Sequence, residues 1–159
     1  MPFNTLLLTC LIPGTSFTEQ GATVRMEPRS GETLLFFAID DQSNPGCGLR
    51  QAINLYDGAI CDLAVFYVPS DRDRNILCLV ELKGSELDRA AEQIRNTYRA
   101  LSSRLRPHAQ QVEWKAYILE HGSAPKLKRR RARETLQQIL GKKAFAIKRD
   151  RDLGAFLRV

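Results

Sequence analysis

Asp62, Glu81 and Lys83 are charged residues placed within two short apolar segments of strand length. The segments are residues 61–68 and 76–83, and both are rich in the β-branched and aromatic residues that favour strands. Side chains alternate along a strand, so Glu81 and Lys83 are expected on one face. The polar stretch between the segments predicts a hairpin, which would bring Asp62 next to that pair.

This grouping of two carboxylates and one ammonium predicts a divalent-cation site, because buried charge is costly unless it is paired or binds a metal. Mg²⁺ prefers carboxylate and carbonyl oxygens, and Asp62 and Glu81 would supply two of them to Mg²⁺ or Mn²⁺. Such a site can hydrolyse a phosphodiester, with Lys83 orienting or helping to deprotonate the attacking water. The alternative is a partly exposed ion-pair cluster across two strands, with a structural role only.

The order of Asp62 and the triplet Glu81-Leu82-Lys83 resembles the PD-(D/E)xK nuclease superfamily, which has the restriction-endonuclease-like fold. The resemblance covers residues 61–101. It departs from the motif at Cys61, where the superfamily often has proline. The motif is specific only in a strand–turn–strand–helix context, and the sequence predicts that context.

The resemblance implies further site residues. The carbonyl of Leu82 would be a third metal ligand, and Gln93 would face the active site from the helix that follows the second motif strand. Without the resemblance, Gln93 is equally compatible with an exposed helix position. Members of the superfamily often add a glutamate from nearer the N-terminus, for which Glu19 and Glu32 are both candidates.

The expected fold is α/β, with a mixed central sheet flanked by helices. An apolar stripe at helical spacing predicts a helix over residues 85–105, and alternation predicts a strand over 112–119. This strand–helix–strand order indicates a parallel crossover. We expect one domain over residues 1–159, with the motif core at about 57–105. A strand at 33–39 and a last short strand at 144–147 complete the prediction.

The charge is concentrated in the C-terminal part of the chain. Of 24 Lys and Arg residues, 15 lie from Arg104 onwards, together with only 5 of the 18 acidic residues. A helix at about 124–140 carries a run of cations that we predict to bind phosphates, although a solvated helix face is the simpler explanation of a charge run. The basic run consists of Lys126, Lys128, Arg129, Arg130, Arg131 and Arg133.

Several classes of protein are disfavoured. The chain has only two histidines and no glycine-rich phosphate loop, which argues against histidine-based catalysis and nucleotide-driven activity. It has no apolar run of about 18 residues, so no membrane association is expected. The apolar run at residues 3–12 lacks a preceding basic region, so we expect a core element and no signal peptide. Four widely spaced cysteines are typical of reduced thiols, which favours the cytoplasm. The resemblance implies that this is the cytoplasm of a bacterium or phage.

The function predicted from these features is a metal-dependent nuclease that hydrolyses phosphodiester bonds, with DNA favoured over RNA as the partner. Two alternatives stay open: a non-catalytic nucleic-acid-binding or adaptor protein on the same fold, and a subunit active only within a larger complex. Fold alone does not separate these, because one fold supports many functions. A homodimer is compatible with the resemblance, since dimers are common in the superfamily.

Overall fold

The computed structural model describes residues 9–40, 49–52, 59–83, 86–105 and 111–159, apart from the side chains at 51, 52 and 83. In chain order, the elements within these residues are β1 (Ser16–Glu19), β2 (Ala22–Arg25), β3 (Thr33–Ala38), α1 (Leu49–Ala52), β4 (Leu63–Val68), β5 (Ile76–Lys83), α2 (Leu87–Arg104), β6 (Glu113–Glu120), α3 (Lys126–Leu140), β7 (Phe145–Lys148) and α4 (Gly154–Leu157).

The described residues form a five-stranded mixed sheet in the order β3-β4-β5-β6-β7. The first three strands are antiparallel neighbours, whereas β6 runs parallel to β5 and β7 runs parallel to β6. Helices α2 and α3 make the two parallel crossovers, which need a long connection of this kind. The predicted mixed sheet with flanking helices is therefore confirmed, as is the crossover from β5 to β6.

The sheet is covered on both faces, so its central strands have apolar residues on both sides. On one face, Leu77 and Leu79 of β5 pack with the apolar stripe of α2 and with Leu136 of α3. On the other face, residues of β5 and β6 pack with the β1–β2 hairpin and with α4, through Val24 and Leu157 among others. The motif strands β4 and β5 are thus held between two apolar layers, which fixes their register.

Two features differ from the sequence-based expectation or extend it. Strand β4 begins at Leu63, later than expected at residue 61, because the backbone N–H of Asp62 donates to a side chain and does not join the ladder. The β1–β2 hairpin was not predicted, since its strands have only four residues each. Most of the apolar run at 3–12 and the first residues of the motif core, 57–58, lie outside the described residues.

Candidate functional site

Asp62 and Glu81 lie side by side at one edge of the sheet. The antiparallel register pairs Leu63 with Val80, and extending it by one residue places Asp62 opposite Glu81. The Asp62 N–H donates to Glu81 Oε2 at 3.0 Å, which joins the two acids directly, and the Leu82 N–H donates to Asp62 Oδ2 at 2.8 Å. The expectation that the hairpin brings these two acids together is met in the structure.

Both acids are buried although they are charged residues. Asp62 is 6% exposed and Glu81 is fully buried. A hydrogen bond from a backbone N–H stabilises the ionised form of a carboxylate, which offsets part of the cost of removing it from water. Neither carboxylate lies on an exposed face, so a partly exposed cluster does not describe these two residues. The side chain of Lys83, the third member of the alternative ion-pair cluster, lies outside the described residues.

Gln93 is buried on α2 and contacts the segment that leads into Asp62. It is 6% exposed, and its Nε2 donates to the Ile60 carbonyl at 3.3 Å. Its Oε1 is buried and accepts no hydrogen bond from the part of the chain that the structure describes. Of the two predictions for Gln93, the exposed helix position is therefore wrong. The polar face of α2 at this point turns towards the backbone of residues 59–61.

Thr97 and Asn96 add two further contacts from α2 to the same segment. Thr97 Oγ1 accepts the Cys61 N–H at 2.9 Å and donates to the Gln93 carbonyl at 2.8 Å. Asn96 Nδ2 donates to the Ala59 carbonyl at 3.3 Å. The sequence analysis did not single out these two residues. Their signal was the recurrence of polar residues at i, i+3 and i+4 from Gln93, which places them on one helix face.

Cys61 is a buried thiol next to the two acids. Burial raises the pKa of its thiol well above the ordinary value, and the negative charges of Glu81 and Asp62 act in the same direction. A thiol held in its neutral form is a poor nucleophile and a poor metal ligand. Cys61 therefore contributes packing and a backbone donor to the site.

Glu120 is a third buried carboxylate at this edge of the sheet. It ends β6 and is the register partner of Lys83, the last residue of β5. Its side chain is 4% exposed and forms an ion pair with Arg129 of α3. Neither Glu120 nor this pairing was predicted, because both depend on how α3 packs over the sheet. The side chain of Lys83 itself lies outside the described part of the structure.

Glu32 lies at the opposite edge of the sheet from Asp62. It precedes β3, whose first residue pairs with Val68, whereas Asp62 precedes β4. Extending this register sets Glu32 level with residue 69, which is seven residues of strand rise, about 23 Å, from Asp62. Glu32 is also engaged there by Tyr67 and Arg158, so of the two N-terminal candidates it is not positioned to join Asp62. Glu19 is the last residue of β1, in the hairpin that covers the face of the sheet opposite to α2.

The basic run lies on α3 and is partly neutralised by acids from other turns and elements. Lys128 pairs with Glu86 at 3.0 Å and Arg130 with Glu134 at 3.0 Å, in addition to the pair between Arg129 and Glu120. The remaining cations are exposed and form no ion pair with the residues that the structure describes; they are Lys126, Arg131 and Arg133. Half of the run is thus available to a polyanion without the loss of an internal ion pair.

The described residues contain no cluster of three or more His, Cys, Asp or Glu side chains that could hold a metal ion. Asp62 and Glu81 supply two such side chains, together with the backbone around Leu82, whereas Glu120 at the same edge is paired with Arg129. Mg²⁺ is commonly held by one or two carboxylates, with waters and substrate phosphates completing its shell. The all-oxygen donor set of this edge therefore fits a hard divalent cation.

Among the described helices, none has the length and apolar character that crossing a lipid bilayer would require. No known family model matches the chain, and a search of curated proteins gave no significant match.

Proposed function

We propose that the chain is a metal-dependent nuclease with a restriction-endonuclease-like fold, and that Asp62 and Glu81 are its metal-binding acids. The observation that carries this proposal is the buried pair itself: two carboxylates, 6% and 0% exposed, set against each other at the end of an otherwise apolar sheet. A protein core excludes such groups unless they are paired or have a function.

The order of elements around the pair supports the same proposal. Asp62 directly precedes β4 and Glu81 lies on β5; these two strands form an antiparallel hairpin, and α2 then leads to the parallel strand β6. This is the strand–turn–strand–helix context in which the Asp…Glu-x-Lys motif is informative. The burial of Gln93 against the backbone of Ile60, two residues before Asp62, agrees with the role that the resemblance implies for it.

The residues at this edge of the sheet would have different roles in the reaction. Asp62, Glu81 and the carbonyl of Leu82 would hold Mg²⁺ or Mn²⁺. When bound, the cation supplies charge stabilisation for the scissile phosphate and a more acidic water. Lys83 would orient or help to deprotonate the attacking water and offset phosphate charge. Gln93 Oε1 would accept a hydrogen bond from that water or from the substrate.

The proposal is tested by cleavage of plasmid DNA, single-stranded DNA and RNA with Mg²⁺ or Mn²⁺. Asp62→Asn and Glu81→Gln are the informative variants, since each retains an oxygen that can accept the backbone N–H its carboxylate now accepts. Both should lower the cleavage rate by at least about 100-fold, because they remove charge and not packing. Lys83→Met should have a similar effect.

Glu27→Gln is the matched control, because Glu27 is an exposed acid outside the sheet and its substitution should leave the rate unchanged. EDTA should abolish cleavage by the wild type. If Glu81→Gln and the wild type cleave equally well, the assignment of the site is wrong. If the wild type binds nucleic acid without cleaving any of the substrates, a non-catalytic binding or adaptor protein replaces the nuclease.

A further inference from the structure

A small cavity lies at the edge of the sheet where β6 and β7 end. Its volume is about 140 Å³, and its wall includes His121 and Gly122, which follow β6, and Arg149 and Arg151, which follow β7. A single water takes up about 30 Å³, so the cavity has room for a group with several oxygens. Three of its wall residues are cationic or can become so, which makes an anion the matching ligand.

The two arginines are available to such a ligand. Both are exposed, and neither forms an ion pair with any residue in the described ranges. Arg149 Nη2 donates to the Gly122 carbonyl at 2.7 Å, which holds its guanidinium against the loop after β6. An arginine oriented in this way loses less side-chain entropy when it binds a phosphate.

The acids nearest to the cavity are already engaged elsewhere. Glu120, which also lines it, is paired with Arg129 of α3. Asp150 Oδ1 accepts the Asp152 N–H at 2.9 Å, and Asp152 Oδ1 accepts the Gly154 N–H at 2.7 Å. Each acid of this loop thus has a local partner that stabilises its charge, which leaves the guanidinium groups free to meet an external anion.

The cavity shares its edge of the sheet with the candidate nuclease site. Strands β5, β6 and β7 are parallel, so their C-terminal ends lie together. Lys83 of β5 pairs with Glu120 of β6. Because Leu119 pairs with Lys148, the next residue of β6, Glu120, lies beside Arg149, which is therefore two strands away from Lys83. At about 4.8 Å per strand, the backbones of Lys83 and Arg149 are about 10 Å apart. The cavity and the acid pair therefore lie at the same end of the parallel strands, with the Ala22 and Leu119 wall of the cavity on the face that the β1–β2 hairpin covers.

We propose that this cavity is a second phosphate site, formed by Arg149 and Arg151 with His121, which binds the nucleic-acid backbone a few nucleotides from the bond that is cut. The part of this inference that concerns the cut bond rests on the proposed nuclease function. The binding of a backbone phosphate does not, because it needs neither metal nor chemistry.

The test is the binding of fluorescent duplex DNA, single-stranded DNA and RNA in EDTA, followed by anisotropy between about 50 and 200 mM KCl. The double variant Arg149→Gln/Arg151→Gln should bind its best ligand at least about 10-fold more weakly, and its salt slope should fall by about 1 to 2. Arg149→Lys should bind better than Arg149→Gln, because it keeps the charge.

Lys142→Gln/Lys143→Gln is the matched control. It removes the same charge from two exposed lysines that precede β7, at the opposite edge of the sheet, and should weaken binding less than about 3-fold. Thermal unfolding of all variants identifies any loss of folding. An equal loss of affinity in both double variants would show that net charge alone explains the effect, and would overturn the proposal. A wild type that binds none of the three probes would also overturn it.

A separate titration with inorganic phosphate distinguishes the source of the anion. If free phosphate binds the wild type but not the arginine double variant, while nucleic acid binds both equally, the cavity serves a small anion and the backbone assignment falls. If the double variant loses nucleic-acid binding but the wild type never cleaves, the phosphate site stands and the nuclease proposal falls. If the wild type cleaves nucleic acid and the double variant binds it as tightly as the wild type does, the nuclease proposal stands and the phosphate site falls.

Discussion

Thr97 is the residue that joins α2 most directly to the acid pair. Its hydroxyl accepts the buried N–H of Cys61, the residue before Asp62. A buried N–H without an acceptor costs about 1–3 kcal/mol. The position of the first motif acid therefore depends on a helix residue that has no role in the motif itself.

We predict that Thr97→Val lowers the free energy of unfolding by about 2 kcal/mol, because valine keeps the side-chain shape but offers no acceptor. Hydrogen exchange of the Cys61 amide should be faster in this variant. Thr97→Ser keeps the hydroxyl and should lose only about 1 kcal/mol for the missing methyl group, with the Cys61 amide still protected. Equal protection of this amide in all three proteins would contradict the assigned hydrogen bond.

The chemical environment of the acid pair also depends on individual residues. Cys61 and Cys78 are both fully buried, and burial raises the pKa of the Cys78 thiol to about 12. Neither thiol ionises near neutral pH, so neither is a nucleophile or metal ligand there. Both cysteines are free thiols, in agreement with the expectation of reduced cysteines.

At the scale of elements, α3 combines two roles on opposite sides. Ala132 and Leu136 are buried against the sheet, whereas three cations of the basic run are exposed. Arg129 connects the two sides, because it belongs to the basic run but forms an ion pair with Glu120 at the sheet edge. The helix is therefore anchored by one of the charges that the sequence assigned to a nucleic-acid contact.

The β1–β2 hairpin is closed by a turn whose central residues, Gln20 and Gly21, have φ angles of 49° and 78°. Positive φ at both positions is the pattern of type I′ hairpin turns, which favour glycine. A Cβ added at Gly21 would meet no atom within 4 Å. The cost of a side chain at this position is therefore conformational and not steric.

We predict that Gly21→Ala lowers the free energy of unfolding by about 1 kcal/mol, the cost of the left-handed conformation for a residue with a Cβ. Gln20→Gly is the matched change at the neighbouring position and should not destabilise the protein by the same mechanism. Urea unfolding of both variants gives the comparison. An unchanged Gly21→Ala protein would show that the turn can adopt another geometry.

At the scale of the whole molecule, an ion pair joins Glu32 and Arg158, which are 126 positions apart in the sequence. Arg158 donates from Nε to Glu32 Oε1 and from Nη2 to Oε2, both at 2.8 Å. These bonds are the main reason that the pKa of Glu32 falls from 4.5 to about 2; burial opposes the shift, and the Arg29 N–H and the Tyr67 hydroxyl support it. The ion pair thus fastens the C-terminal helix to the start of the central sheet.

The lowered pKa predicts how stability depends on pH. Unfolded protein binds a proton at Glu32 near pH 4.5, whereas folded protein does so only near pH 2, so the stabilisation is present above about pH 4.5 and is lost between these values. Arg158→Met should lower the free energy of unfolding by about 2 kcal/mol at pH 7. The difference from wild type should shrink as the pH falls towards 2, measured by urea unfolding at each pH. A difference independent of pH would contradict this origin.

The local sequence was sufficient to predict most of the regular elements and the meeting of Asp62 with Glu81. Apolar runs bounded by turn residues determine where β3, β5, β6 and β7 form, and the helical spacing of apolar residues determines α2. The hairpin of β4 and β5 then brings the two motif acids together, because these consecutive strands, joined by residues 69–75, pair as antiparallel neighbours. These features depend on neighbours within the same segment or the next one.

Tertiary structure alone decided which polar groups lie inside and which charges are paired. The burial of Gln93 and Thr97, the ion pair between Glu120 and Arg129, and the cavity beside Arg149 all depend on contacts between residues from separate elements. A local pattern shows that a side chain is polar, but not whether another element will supply its partner. The chemistry at the sheet edge is therefore set by packing between elements, after the sequence has set the elements themselves.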